Sequence, residues 1–255
     1  MKNVIVGNTG VIGKTLCESI NFDFMFNSSN ILNFIEKVDN DSTLYLSCLP
    51  ATKWSINKNI QHDLNNILKI TNAINQIRFS KIILISTIDV YCESPIHSDE
   101  DVFPLIKTLN YGSNRYFFEM LIRKTFTYND LKIFRLPSLF GKHIKKNIVY
   151  DLLNNNNIDK INVNSSYQWY DLNDLVNDIN YLSYEFPKST VFNLFSEPIE
   201  TNYLIKNIFE LKNITNNQNR IEYNYKTKFN KTGYIQCKNL VIEKLMRFKN
   251  EYINK

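Results

Sequence analysis

Gly7, Gly10 and Gly13 in the segment NVIVGNTGVIG constrain this chain more than any other feature. Half of its six glycines fall there within seven residues, a spacing that random placement gives roughly once in several hundred such chains. The apolar run before Gly7 reads as a strand, and the residues from Gly10 to Ile20 read as a helix. A strand that turns through G-x-x-G-x-x-G into a helix is a place for an anion. Gly7 permits the tight turn, Gly10 lets backbone approach a pyrophosphate, and Gly13 allows the helix to pack on the strand. The first amides of the helix, at Gly10, Val11, Ile12 and Gly13, then face the phosphates. A tight β–α turn with no ligand is the plainer alternative.

The rest of the chain keeps the same rhythm. FDFMF precedes ILNFIEKV, TLYLSCL precedes a long helical pattern to about Ile77, KIILIS follows, and a helix from Tyr111 to about Phe126 leads into LKIFRLP. Strands alternating with helices predict right-handed βαβ units and an α/β, Rossmann-like, doubly wound parallel sheet. Continuous apolar strands fit a sheet buried on both faces. After Gly141 the pattern changes: helical NIVYDLL, a strand pair in INVNSSYQWY, helical LNDLVNDINYLSYE, the core strand VFNLF, a helix near Tyr203–Leu211, a strand RIEYNYK and a last helix near Leu240–Phe248. The expected organisation is a dinucleotide-binding core over 1–141, with strand 190–196 returning to the sheet. A small C-terminal substrate lobe would take 142–189 and 197–255, with a cleft between the two.

In a sheet of this kind an acidic residue at the end of the second strand accepts both adenosine ribose hydroxyls of NAD and repels a 2′-phosphate. Here FDFMF runs into Asn27, Ser28, Ser29 and Asn30, with no carboxylate. Asn27 and Ser28 are therefore the ribose-side candidates. The expected cofactor is NADP or NAD, with the balance inclined to NADP and no adjacent arginine to strengthen it.

Tyr111 and Arg115 stand four residues apart, so a helix places the phenol and the guanidinium on one face. At roughly 5 Å and an effective dielectric near 20, the cation favours the phenolate by about 3 kcal/mol, which would draw the phenol from about 10 toward neutrality. That is where a general acid/base works best. The chain holds three other Tyr-x-x-x-basic matches, Tyr128/Lys132, Tyr184/Lys188 and Tyr234/Lys238. Only Tyr111/Arg115 opens a helical run, and it follows a strand ending in Ser86 and Thr87.

With the glycine turn, Ser86-Thr87-x-x-Val90-Tyr91, Tyr111-x-x-x-Arg115 and RLPSLFG in this order, the chain resembles the extended short-chain dehydrogenases/reductases, above all their nucleotide-sugar epimerases, reductases and dehydratases. WYDLNDL and VFNLFSEPI are similar to later family segments, so the resemblance spans essentially the whole length. It implies an NAD(P)-dependent epimerase or reductase acting on a hydroxyl or keto carbon of a nucleotide-linked sugar. Thr87 would bond the reacting sugar oxygen, Tyr111 would carry the proton, and Arg115 would replace the lysine that holds the nicotinamide ribose and the phenolate. Leu49, Ser86 and Leu136 complete the implied cofactor contacts. Arginine keeps the charge but cannot relay a proton. A dinucleotide-binding sensor or regulatory protein without turnover is thus the competing class. Family dehydratases carry Asp then Glu after the threonine, whereas this chain has Ile88 and Asp89. Asp89 is a candidate for the base position, or simply a loop residue, and a 4,6-dehydratase is the second alternative.

On the substrate side, Lys145 and Lys146, with Lys142 and His143 beside them, are candidates to meet a diphosphate or to be solvated surface. Tyr167, Trp169 and Tyr170 either stack on a base or pack in the lobe. The resemblance also implies a homodimer through helices flanking Tyr111. A net charge of +5 with scattered lysines argues against nucleic acid as partner. Four separated cysteines and three unpaired histidines give neither disulfide framework nor metal site. The immediate N-terminal strand and the lack of a long apolar run point away from a leader or a membrane span, and the cytoplasm is the expected compartment.

Overall fold

A computed structural model of the chain describes residues 1–126, 130–211, 214 and 218–253. In chain order its strands are β1 (Asn3–Val6), β2 (Phe24–Phe26), β3 (Thr43–Leu46), β4 (Lys81–Thr87), β5 (Asp130–Leu136), β6 (Ser138–Phe140), β7 (Ser166–Tyr167), β8 (Trp169–Asp171), β9 (Val191–Asn193) and β10 (Ile199–Glu200). Its helices are α1 (Val11–Ser19), α2 (Phe34–Lys37), α3 (Lys53–Lys58), α4 (Ile60–Ile74), α5 (Tyr111–Thr125), α6 (Ile148–Leu153), α7 (Leu175–Glu185), α8 (Thr201–Tyr203) and α9 (Lys238–Ile253).

The chain forms two compact units, 1–95 with 103–135 and 176–192, and 96–102 with 136–175 and 193–255. The first is built on a six-stranded sheet in the order β2-β1-β3-β4-β5-β9, and the pairs β1–β2, β1–β3 and β3–β4 are parallel. Val4, Ile5 and Val6 are all buried, as are Ile82, Ile83 and Leu84, so these strands lack the polar-out alternation of a one-sided sheet. One face packs Val6, Leu46, Leu84 and Ile133 against Ile67 and Ile74 of α4 and Phe118 and Ile122 of α5. Successive crossovers run outward in opposite directions from β1 and β3. That neighbouring pair is the topological switch point, where open α/β sheets bind ligands at the carboxyl ends of their strands.

The helical pattern expected to run unbroken to Ile77 is interrupted. Asn59, at φ −144° and ψ 67°, ends α3 and caps α4 by accepting a hydrogen bond from the His62 amide at 3.2 Å.

In the second unit β6 pairs in parallel with β8, and β7 pairs antiparallel with β10. The two strands expected in INVNSSYQWY are present as β7 and β8, but they do not pair with each other. Gln168, buried between the two strands, bonds Ser196 O at 2.6 Å, Tyr225 O at 2.9 Å and Tyr225 N at 2.8 Å, and each strand pairs elsewhere. RIEYNYK is not a strand; its ladder contact is the single bridge Ser166–Glu222. The segment 176–185, expected in the lobe, packs with the sheet unit.

Candidate functional site

Gly7 and Gly13 are required by the turn itself. Gly7 has φ +104°, and a Cβ there would sit 2.4 Å from Ser47 O; a Cβ on Gly13 would sit 2.0 Å from Gly7 O. Gly10 differs, because a Cβ there would meet nothing nearer than 3.5 Å. The space over Gly10 is what a ligand would fill. Gly10 caps α1 without a side-chain hydrogen bond, and the first-turn amides of Val11, Ile12 and Gly13 have no acceptor within the helix. Asn8 Oδ1 is buried nearby without a hydrogen-bond partner among the described residues. These residues fit a pyrophosphate.

A hollow of about 260 Å³ opens at the ends of β1 and β3, lined by Gly7, Gly10, Asn27, Ser28 and Leu49 among others. A second, of about 70 Å³, is lined by Ile12, Leu49, Ser86, Thr87, Tyr111 and Arg115. Ser47, Cys48 and Leu49 line both, so one trough leads from the glycine turn to the tyrosine. Burial pushes the Cys48 thiol in this shared wall up to about 12.

Tyr111 is fixed by the start of α5. Asn110 caps the helix in a reciprocal box with Ser113, and the Tyr111 amide donates to Asn57 Oδ1 at 2.8 Å. Gly112 lets the helix close on the β4 turn, since a Cβ there would lie 2.0 Å from Asp89 O. In that turn Thr87 Oγ1 accepts from the Asp89 amide at 3.2 Å. Asp89 Oδ1 lies 2.6 Å from Lys53 Nζ, so its carboxylate is ion-paired rather than simply loop-facing. Ile88 is buried and leaves the adjoining carboxylate position apolar.

Arg115 stacks on the Tyr111 ring, Cζ 4.5 Å from the centroid. Its other contacts are to a group the sequence did not suggest. Nη1 donates to Asp63 Oδ2 at 2.8 Å, and Nη2 to Asp63 Oδ1 at 3.1 Å and Pro50 O at 2.7 Å. Asn114 Nδ2 also donates to Asp63 at 2.7 Å. The guanidinium is thus neutralised from behind. The expectation of a phenol drawn toward neutrality is corrected: burial holds Tyr111 above the usual tyrosine value, Arg115 pulls the other way without prevailing, and Asp89 adds to the rise.

One helical turn beyond Arg115, Glu119 is fully buried, accepting from Ser86 Oγ at 2.5 Å and from Arg135 Nε and Nη2 at 3.0 and 2.6 Å. Arg135 Nη1 donates to Tyr91 Oη at 2.5 Å. Tyr111, Arg115 and Glu119 therefore form one buried i, i+4, i+8 stripe on α5. Glu119 follows from the same four-residue spacing that relates Tyr111 to Arg115.

The remaining expected contacts are not among the residues that line these two hollows. Leu136 is buried at the end of β5 and lines neither hollow. Lys145 and Lys146 are exposed between β6 and α6 in the second unit. Trp169 and Tyr170 are core residues at 1% and 0% exposure, while Tyr167 stacks on Tyr223 at 5.5 Å. Tyr128 lies outside the described residues. Among the described residues no cluster of His, Cys, Asp and Glu suits a metal, and no helix is long and apolar enough to cross a membrane.

No family model matches the sequence, and no curated protein matches it in sequence. Solved structures do. The UDP-glucuronic acid 4-epimerase of Bacillus cereus, in complex with UDP-4-deoxy-4-fluoro-glucuronic acid and NAD, superposes with a TM-score of 0.74 at 16% identity, over 100% of this chain and 99% of that one. The dTDP-4-dehydrorhamnose reductase of Bacillus anthracis, in complex with NADP, gives 0.71 at 19% identity over 98% and 100%. The UDP-glucose 4-epimerase of Thermotoga maritima gives 0.69 at 16% identity over 100% and 99%. Along its whole length the chain shares the fold of these two epimerases and this reductase.

Proposed function

We propose that the chain is an NAD(P)-dependent oxidoreductase or epimerase acting on a hydroxyl or keto carbon of a nucleotide sugar. The observation that carries this reading is the trough in which the open Gly10 turn, Ser86, Thr87 and Tyr111 meet. A bound nicotinamide dinucleotide would supply or accept the hydride. Val11, Ile12 and Gly13 would hold its pyrophosphate through their amides. Thr87 would orient the sugar oxygen, and Tyr111 would give or take that oxygen's proton. A phenol held above its usual value is protonated at neutral pH, the state needed to donate when a keto carbon is reduced. Arg115, anchored on Asp63, would position the ring rather than relay protons. NADP is the favoured cofactor because Asn27 and Ser28 stand where a carboxylate would select NAD.

A 4,6-dehydratase is the poorer reading, since Ile88 is buried and apolar and Asp89 is held by Lys53. A dinucleotide-binding sensor without turnover draws support from the neutralised Arg115. Incubation with a panel of nucleotide sugars, followed at 340 nm and by product analysis, separates the classes. Turnover that is lost in Tyr111→Phe while cofactor binding persists is expected. No product from any substrate, with Tyr111→Phe indistinguishable from the parent, would leave the sensor.

A further inference from the structure

The larger hollow carries a cation that the sequence around β2 does not show. Asn66, Lys69 and Ile70, at i, i+3 and i+4 on α4, line it opposite Asn27 and Ser28. Among the described residues that line it, Lys69 is the one charged residue and none is acidic. Lys69 is exposed and makes no ion pair among the described residues, so it need not leave a partner to meet a ligand.

The loop facing it has spent its acceptors. Asn27 Oδ1 accepts from Ser29 N at 2.9 Å and from Ser29 Oγ at 2.6 Å, which leaves the Asn27 amide NH₂ to donate. Asn30 Oδ1 is taken by the Asn27 amide at 2.7 Å. The Ser28 hydroxyl makes no hydrogen bond among the described residues. Donors and one ammonium suit a phosphate monoester, whereas a free ribose diol is best held by a carboxylate that accepts from both hydroxyls.

We propose that Lys69 binds the 2′-phosphate of the dinucleotide and, with Asn27 and Ser28, makes the chain selective for NADP over NAD. The inference rests on the dinucleotide reading above. Its ligand group is a phosphate monoester on a nucleoside, and Lys69 meets it as a point charge from a helix rather than from the β2 loop.

Fluorescence titrations with NADPH and NADH, with 2′,5′-ADP and 5′-AMP as competitors, test it on the wild type, Lys69→Ala and Lys69→Arg. NADPH affinity should fall roughly tenfold in Lys69→Ala, the effect of one charge-assisted bond at a solvated site. NADH and 5′-AMP should bind as before, Lys69→Arg should retain the NADPH preference, and the salt sensitivity of NADPH binding should shrink in Lys69→Ala. An unchanged NADPH-to-NADH ratio in Lys69→Ala, or an equal loss of both, overturns the assignment of Lys69 while leaving dinucleotide binding standing. A wild-type chain that binds neither nucleotide overturns the dinucleotide reading itself, and the Lys69 assignment with it.

Discussion

Replacing Asp63 with asparagine should expose how much of the site depends on the charge pair beneath the tyrosine. The Asp63 and Arg115 side chains are 3% and 6% exposed and meet through two hydrogen bonds. Removing one member of such a pair strands the other in a poorly solvated setting, at a cost of about 3–5 kcal/mol. In a domain of this size that lowers the melting temperature by on the order of 10 °C. Arg115→Met should cost a similar amount, because Asp63 would then keep Asn114 as its one side-chain donor among the described residues. The double variant removes both charges and should recover much of the loss, giving a coupling energy of at least about 2 kcal/mol in a double-mutant cycle. Asp63→Asn should also lower the Tyr111 phenol, since Arg115 would no longer be neutralised. Urea unfolding followed by far-ultraviolet circular dichroism reads the cycle, and tyrosinate absorbance reads the phenol. Loss of less than about 1 kcal/mol in Asp63→Asn, or strictly additive losses in the double variant, would refute the account of Arg115 as an anchored strut.

Gly10→Ala should fold normally yet bind dinucleotide poorly, because its Cβ comes no nearer than 3.5 Å to a described protein atom but would enter the proposed pyrophosphate space. Gly13→Ala should instead lose about 1–3 kcal/mol of stability from a Cβ placed 2.0 Å from Gly7 O; equal behaviour of the two in melting and titration would contradict this division. Cys48, pushed up to about 12, should resist iodoacetamide at pH 8 while the exposed Cys92 and Cys237 are alkylated, as peptide mass spectrometry would show. Tyr111 is raised in the folded chain, so above the ordinary tyrosine value the unfolded chain releases a proton that the folded one keeps. Its contribution is complete below about pH 10 and is lost as pH rises through the folded value; Tyr111→Phe should therefore show a shallower alkaline fall in unfolding free energy, and identical slopes would count against the shift.

The parts of the fold that local pattern controls were legible. β1, the glycine turn and α1 follow from one apolar run and three glycines, and β3, β4 and β5 from runs buried on both faces. What local pattern does not control was misread. RIEYNYK alternates like a strand but among the described residues finds only the Glu222 bridge, and the strands on either side of Gln168 diverge where that side chain bonds two distant backbones. In the site, Thr87, Tyr111 and Arg115 stood out because they are close in sequence or in a known order. Asp63 and Lys69 did not, because a charged residue on a helix reads as solvated. Asp63 is buried against Arg115, which arrives from 52 residues away, and Lys69 lines a hollow that Asn27 and Ser28 beyond β2 also line.

A crystal structure of the chain with NADPH tests the central claim most directly. The account predicts the pyrophosphate on the amides of Val11 and Ile12, the nicotinamide beside Thr87 and Tyr111, and Arg115 still paired with Asp63. NADPH bound outside this trough, or a nicotinamide directed away from Tyr111, would contradict it.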